Sequence, residues 1–277
     1  MEVYIPKEIL QPFVSMFYTV IGSRKPGDAM HNELALPSGH CFMVYRCKGN
    51  MSVAINDKDN ILPRFYIAGQ QTSSHYMKSN DLYIELVVAA LKPTALWHFF
   101  GLNMSELVNE AIPLDTIYQG KLLEIRKQFE RCKTAEERIG CLEKVLIDAS
   151  KKKTLRLNVI DISIDIIQKN KGCILIKDLV GKLNISKRYF QKKFKEMVGI
   201  SPSVYTRITR FNYLFAEIGT SQQDYKTLST FFNYHDISHF SKDFKNYCGE
   251  SPTKFHLEKF KFLKDIWVDD PLILKMS

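Results

Sequence analysis

Hydrophobic positions follow two rhythms along this chain. From about residue 16 to 92 they come as short β-type runs at 16–22, 41–46, 51–56, 64–69 and 82–91, divided by "RKPGD", "LPSGH", "NDKDN" and "KSND". Short apolar runs between Gly, Pro, Asn and Asp clusters predict strands joined by tight turns, as in an antiparallel barrel or sandwich. Residues 1–15 read as a short helix or lead-in. Pro93 then opens a short helix in which Trp97 and Phe100 share a face. Helical periodicity takes over at roughly 119–132 and 135–150. In the second of these Thr134 and Glu137 form a capping box, and Leu142, Val145, Leu146 and Ala149 give one apolar face. "KKKT" (151–154) reads as a linker, and 157–170 as a further amphipathic helix.

The C-terminal rhythm repeats itself. "SKRYFQKKFKEMVGISPSVY" (186–205) is echoed fifty residues later by "DISHFSKDFKNYCGESPTKF" (236–255). Phe190 matches Phe240, Lys192 matches Lys242, Phe194 matches Phe244, and the Gly-x-Ser-Pro endings coincide. One fixed offset over that length marks a duplicated module. In each copy an i, i+4, i+8 stripe (Phe190, Phe194, Val198; Phe240, Phe244, Cys248) predicts a helix with one buried face. Gly199 and Gly249 supply left-handed stops, and the Ser-Pro pairs supply an N-cap and a fixed φ for a following helix. Upstream, 174–186 and 225–238 read as supporting helices ending in turns at Asn184 and Asn233, Asn being at home in a left-handed turn. Helix, short turn, helix with a polar outward face is the helix-turn-helix pattern.

On these residues, 157–257 resembles the DNA-binding domain of the AraC/XylS family of transcriptional regulators. The stretch 228–255 carries the resemblance most specifically. Ser229 and Asn233 stand where that family has Ala and Gly, and Lys192 and Lys242 stand where it has Arg. Lys lacks the bidentate fork that reads a guanine edge, so these last two changes bear on base specificity. The resemblance implies recognition helices at about 186–198 and 237–248. Their base-edge candidates are Arg188, Gln191 and Lys192 in the first and Ser238, His239 and Lys242 in the second. Lys187, Lys195, Lys245 and Asn246, with Arg207 and Arg210 from the joining segment, are the phosphate candidates. "LPSGH" (36–40), "IAGQQT" (67–72), the stretch around Pro93 and "IPLD" (112–115) resemble the cupin-like regulatory domain of many such regulators. The expected fold class is therefore α+β: a cupin-like antiparallel β-barrel and helices in 1–150, then an all-α double helix-turn-helix domain in 155–260. The implied function is that of a transcriptional activator, not an enzyme. Promoter DNA is its partner, with RNA polymerase, a small-molecule effector and a second copy of the chain as further partners.

Charge sharpens this picture. The 277 residues carry a net +9, but 151–277 hold 23 Lys+Arg against 13 Asp+Glu while 1–150 hold 16 against 17. All the excess positive charge lies in the half with the duplicated motif, where counterion release from phosphates would supply affinity. No run approaches a membrane span, and "MEVYIPKEIL" lacks the basic flank and apolar stretch of a secretory leader, so a cytoplasmic protein, nucleoid-associated when bound to DNA, is expected.

Catalytic and metal readings fare worse. Six cysteines are scattered without a CxxC pair, as expected of small buried thiols. His31, His40, His75 and His98 stand singly, without the H-x-H of metal-dependent cupins. "HDISH" spaces His235 and His239 like a zinc-protease motif, but the repeat puts His235 in the turn and Asp236 where that motif has Glu. No cofactor or metal is expected. A DNA repair protein with an AraC-like domain is the alternative, yet no cysteine sits in a "PCHR"-type context. A DNA-binding interaction protein that senses nothing is another.

Overall fold

A computed structural model describes residues 1–55, 58–118, 122–151, 155–220 and 225–265. Among them the strands are β1 (Val3–Tyr4), β2 (Val14–Ser23), β3 (His31–Ala35), β4 (Cys41–Lys48), β5 (Ser52–Ile55), β6 (Lys58–Ile61), β7 (Phe65–Ala68), β8 (His75–Ser79), β9 (Tyr83–Leu91) and β10 (Ala111–Pro113). They form two antiparallel sheets, ordered β1-β2-β9-β4-β7-β10 and β3-β8-β5-β6. The expected strands are β2, β4, β5, β7 and β9. Those not foreseen are very short or, like "HNELA", "KDNI" and "HYMKS", largely polar, and backbone pairing rather than side-chain pattern holds them.

The α+β class stands, but the sheets do not close into a barrel. The larger sheet ends in β1, two residues long, and β10, three residues long, which leave too little edge for pairing to the smaller sheet.

The central strand β9 is apolar almost throughout because both its faces are covered. Val87, Ala89 and Leu91 point into a core with Phe17, Met43, Tyr45 and Ile67, closed by α1 (Ala95–Phe100), α2 (Leu122–Arg131) and α3 (Ala135–Ser150). Phe129 of α2 stacks on Tyr45 with ring centroids 3.8 Å apart. Thr134 and Glu137 make the expected capping box on α3. Ile84, Leu86, Val88 and Ala90 point the other way, into a core that takes in Leu34 and Val53 of the smaller sheet. That core runs on without a break into the C-terminal helices. These are α4 (Val159–Lys169), α5 (Ile176–Leu183), α6 (Lys187–Val198), α7 (Pro202–Thr220), α8 (Tyr225–Phe231), α9 (Ile237–Cys248) and α10 (Lys261–Lys264). The expected linker lies outside the described residues apart from Lys151, as do 119–121 of the expected helix before it.

Polar contacts cross the same junction. Asp161, in the first turn of α4, completes a capping box with Asn158 and also accepts Thr94 Oγ1 at 2.5 Å. His98 Nε2 of α1 lies 3.1 Å from Asp161 Oδ2, the two residues being 4% and 8% exposed. So His98 is a satisfied core histidine, as a lone histidine usually is. Asn212 Nδ2 of α7 donates to the Ser38 carbonyl at 2.9 Å, which places "LPSGH" against the C-terminal helices. Among the described residues no three His, Cys, Asp or Glu side chains converge as a metal site would require. No helix among them is long and apolar enough to cross a membrane.

Burial raises the pKa of the Asp161 carboxyl, but the bonds from His98, Thr94 and the Asn158 amide outweigh it and hold the group below 3.8. The stabilisation is therefore fully present above the ordinary aspartate pKa and is lost as pH falls through the lowered value. Asp161→Asn should cost about 1–3 kcal/mol at neutral pH in urea unfolding of the full chain. Its deficit against the parent should shrink as pH drops below 3.8.

Candidate nucleic-acid interface

Each copy of the duplicated stretch folds as a helix-turn-helix, and the two match in detail. The supporting helices α5 and α8 run into turns at Asn184 (φ 51) and Asn233 (φ 55), both left-handed as expected. Ser186 caps α6 by accepting from the Tyr189 amide, and Asp236 caps α9 by accepting from the His239 amide at 2.7 Å. Phe190 and Phe194 meet edge to face with centroids 5.4 Å apart, and Phe240 and Phe244 do so at 5.8 Å. All four are buried, so their stripe is core. Gly199 (φ 98) and Gly249 (φ 81) end the two helices.

The Ser-Pro pairs diverge. Ser201 and Pro202 open α7, with Ser201 Oγ accepting from the Val204 amide. Ser251 and Pro252 lead only to a turn closed by Lys254 and Phe255 onto the Ser251 carbonyl. There Phe255 is drawn in against Phe215 and Phe244, and the chain leaves through a 3₁₀ turn toward β3 instead of continuing as a helix.

The polar faces are placed as the pattern required. On α6, Lys187, Arg188, Gln191, Lys192 and Lys195 are all exposed. On α9, Ser238, Lys242, Lys245 and Asn246 are exposed, while His239 is half-buried with its ring 5.3 Å from that of Tyr234. Tyr189, exposed between Arg188 and Gln191, is a side chain on this surface that charge and repeat reasoning passed over. Asp236 is the helix cap, and the His239 amide, then the His235 ring, hold its carboxyl below the usual range. That role accounts for the metal-like spacing of "HDISH".

Arg207 is exposed on α7, but Arg210 is turned inward. Its side chain is 14% exposed, lies 4.4 Å from the Tyr234 ring centroid and faces Asp243 Oδ2 of α9 at 4.0 Å. The guanidinium of this phosphate candidate lies between α7 and α9.

Residues 179–257 match the family model of a helix-turn-helix domain. This part of the chain is an AraC-type helix-turn-helix domain. Residues 2–113 match a domain of unknown function (DUF6597). The Msm operon regulatory protein of Streptococcus mutans is 35% identical over 86 residues, 30% of either chain. The raffinose operon transcriptional regulatory protein RafR of Pediococcus pentosaceus is 28% identical over 110 residues, 39% of either chain. The chain thus spans about a third of the length of the curated relatives it matches. The crystal structure of ToxT from Vibrio cholerae aligns over 86% of this chain and 96% of its own at 13% identity and TM-score 0.47, a likeness too loose to bear on the reading.

In the AraC-type domain the first recognition helix also leans on the N-terminal half. A Cβ at Gly199 would stand 2.6 Å from the Met104 carbonyl oxygen, so only glycine fits that close approach at positive φ. Gly199→Ala should destabilise the chain by about 1–3 kcal/mol. Arg210→Ala, by stranding Asp243, should cost on the order of 2 kcal/mol or more in denaturant unfolding. It should leave the salt dependence of DNA binding by the folded fraction unchanged; a slope reduced by about one unit would instead make Arg210 a phosphate contact.

Proposed function

We propose that the chain is a sequence-specific DNA-binding transcriptional regulator, an activator working in the bacterial cytoplasm, and not an enzyme. The observation that carries this reading is the pair of capped helices α6 and α9, each with a buried aromatic stripe and an exposed basic and polar face, mounted on one helix. At 19 residues α7 spans roughly 28 Å, close to the ~34 Å that separates successive major-groove faces. One chain thereby sets α6 and α9 into adjacent grooves and reads an asymmetric site.

Within this reading Arg188, Gln191 and Lys192 of α6 and Ser238, His239 and Lys242 of α9 face base edges. Arg and Lys suit guanine acceptors and Gln suits adenine. Lys187, Lys195, Lys245, Asn246 and Arg207 meet phosphates and set the register. We assign 155–260 to DNA binding and 1–150 to regulation, through a second copy of the chain or a small-molecule effector, with RNA polymerase as the downstream partner.

Selection of genomic fragments by the full chain at ~150 mM salt, where non-specific phosphate binding is suppressed, tests the reading. An asymmetric motif of two blocks about one helical turn apart is expected; enrichment no better than background would overturn it. Lys192→Ala with Lys242→Ala should weaken binding to the selected site and flatten its salt dependence. Lys195→Ala with Lys245→Ala should lower the salt slope by about two while leaving the preferred sequence unchanged.

A further inference from the structure

Cys132, just past the end of α2, and Cys141, within α3, bring their sulfurs to 3.5 Å. Both are half-buried, within reach of a small reagent, whereas Cys41 and Cys248 are sealed in the cores. Cys132 Sγ points at the Gln128 carbonyl at 3.2 Å. The Arg138 guanidinium donates to the Cys132 carbonyl at 3.4 Å and pairs with Glu85 of β9. Burial pushes the Cys141 thiol, and that of neighbouring Cys47, up to about 12, which makes both poor first attackers. A disulfide needs the sulfurs at about 2.0 Å, a contraction of roughly 1.5 Å.

We propose that Cys132 and Cys141 are a reversible thiol–disulfide pair, a modification site that staples α2 to α3 when the chain meets a low-molecular-weight disulfide. The Cys132 thiolate attacks one sulfur of the small disulfide; that S–S bond breaks, and the first small thiolate leaves and takes up the proton Cys132 released. Cys141 then loses its proton and attacks the Cys132 sulfur of the mixed disulfide. The protein disulfide forms and the second small thiolate leaves, taking that proton. Two protein thiols are oxidised and one small disulfide is reduced to two thiols. Because α2 holds Phe129 on Tyr45 of β4, the staple fixes α3 to a helix that is itself packed on the larger sheet.

The test equilibrates the full chain with glutathione and its disulfide at graded ratios, then applies acid quench, alkylation, intact mass and peptide mapping. Alkylatable thiols should fall from six to four, with Cys132 and Cys141 recovered in one linked peptide pair. Cys141→Ser should stop at glutathione on Cys132, Cys132→Ser should take up none, and Cys47→Ser should behave as the parent. Six alkylatable thiols at every ratio, or linkage of Cys132 to Cys47, would overturn the proposal, and neither result depends on a variant folding.

Discussion

One helix, α7, is the wall on which both helix-turn-helix units are built. Near its start Tyr205 packs against Phe194 of α6, ring centroids 5.7 Å apart. Two to three turns on, Phe211 meets Phe244 and Tyr247 of α9, and Phe215 meets Phe244 and Phe255. All of these side chains except the half-buried Phe255 are buried, at a gain of about 1.5–3 kcal/mol apiece relative to exposure. A single rigid helix with aromatic anchors at both ends leaves little freedom in how far apart α6 and α9 stand. The inward Arg210 adds an electrostatic tie at the same seam.

The N-terminal half is fixed to this assembly and does not hang from it. Its larger sheet spends one face on α1, α2 and α3 and commits the other to a core continuous with the C-terminal helices. Polar groups then set the orientation that apolar burial leaves open. Asp161 accepts hydrogen bonds from Thr94 and His98 and so links α4 to α1, while Asn212 on α7 reaches the Ser38 carbonyl. Gly199 permits α6 to come against the backbone at Met104. A change in the sheets has short physical routes to both α6 and α7.

The duplicated helix-turn-helix was more legible here than the sheets. A recognition helix must bury one stripe and present another, so Phe190, Phe194, Phe240 and Phe244 announce the core and the Lys, Arg, Gln and His residues beside them announce the outward face. The Asn and Gly turns were equally readable, because few residues tolerate positive φ. Strands such as β3 and β8 were not, since backbone partners hold a polar segment that has no alternation of its own. The second Ser-Pro pair carries the signal of a helix start, yet Phe255 found a better place against Phe215 and Phe244, and tertiary burial overrode the local signal.

The sequence by itself determined two duplicated helix-turn-helix units, their capped ends and the polar residues they display, because these follow from spacing within ten or twenty residues. Only the tertiary structure decided that the sheets stay open, that Arg210 serves Asp243 and Tyr234, that His98 belongs to Asp161 and that Cys132 faces Cys141. Each of these is a meeting of groups that lie apart on the chain, or on opposite sides of a turn. Which neighbours a charge, a thiol or a sheet edge acquires is settled by packing, and no local pattern encodes it.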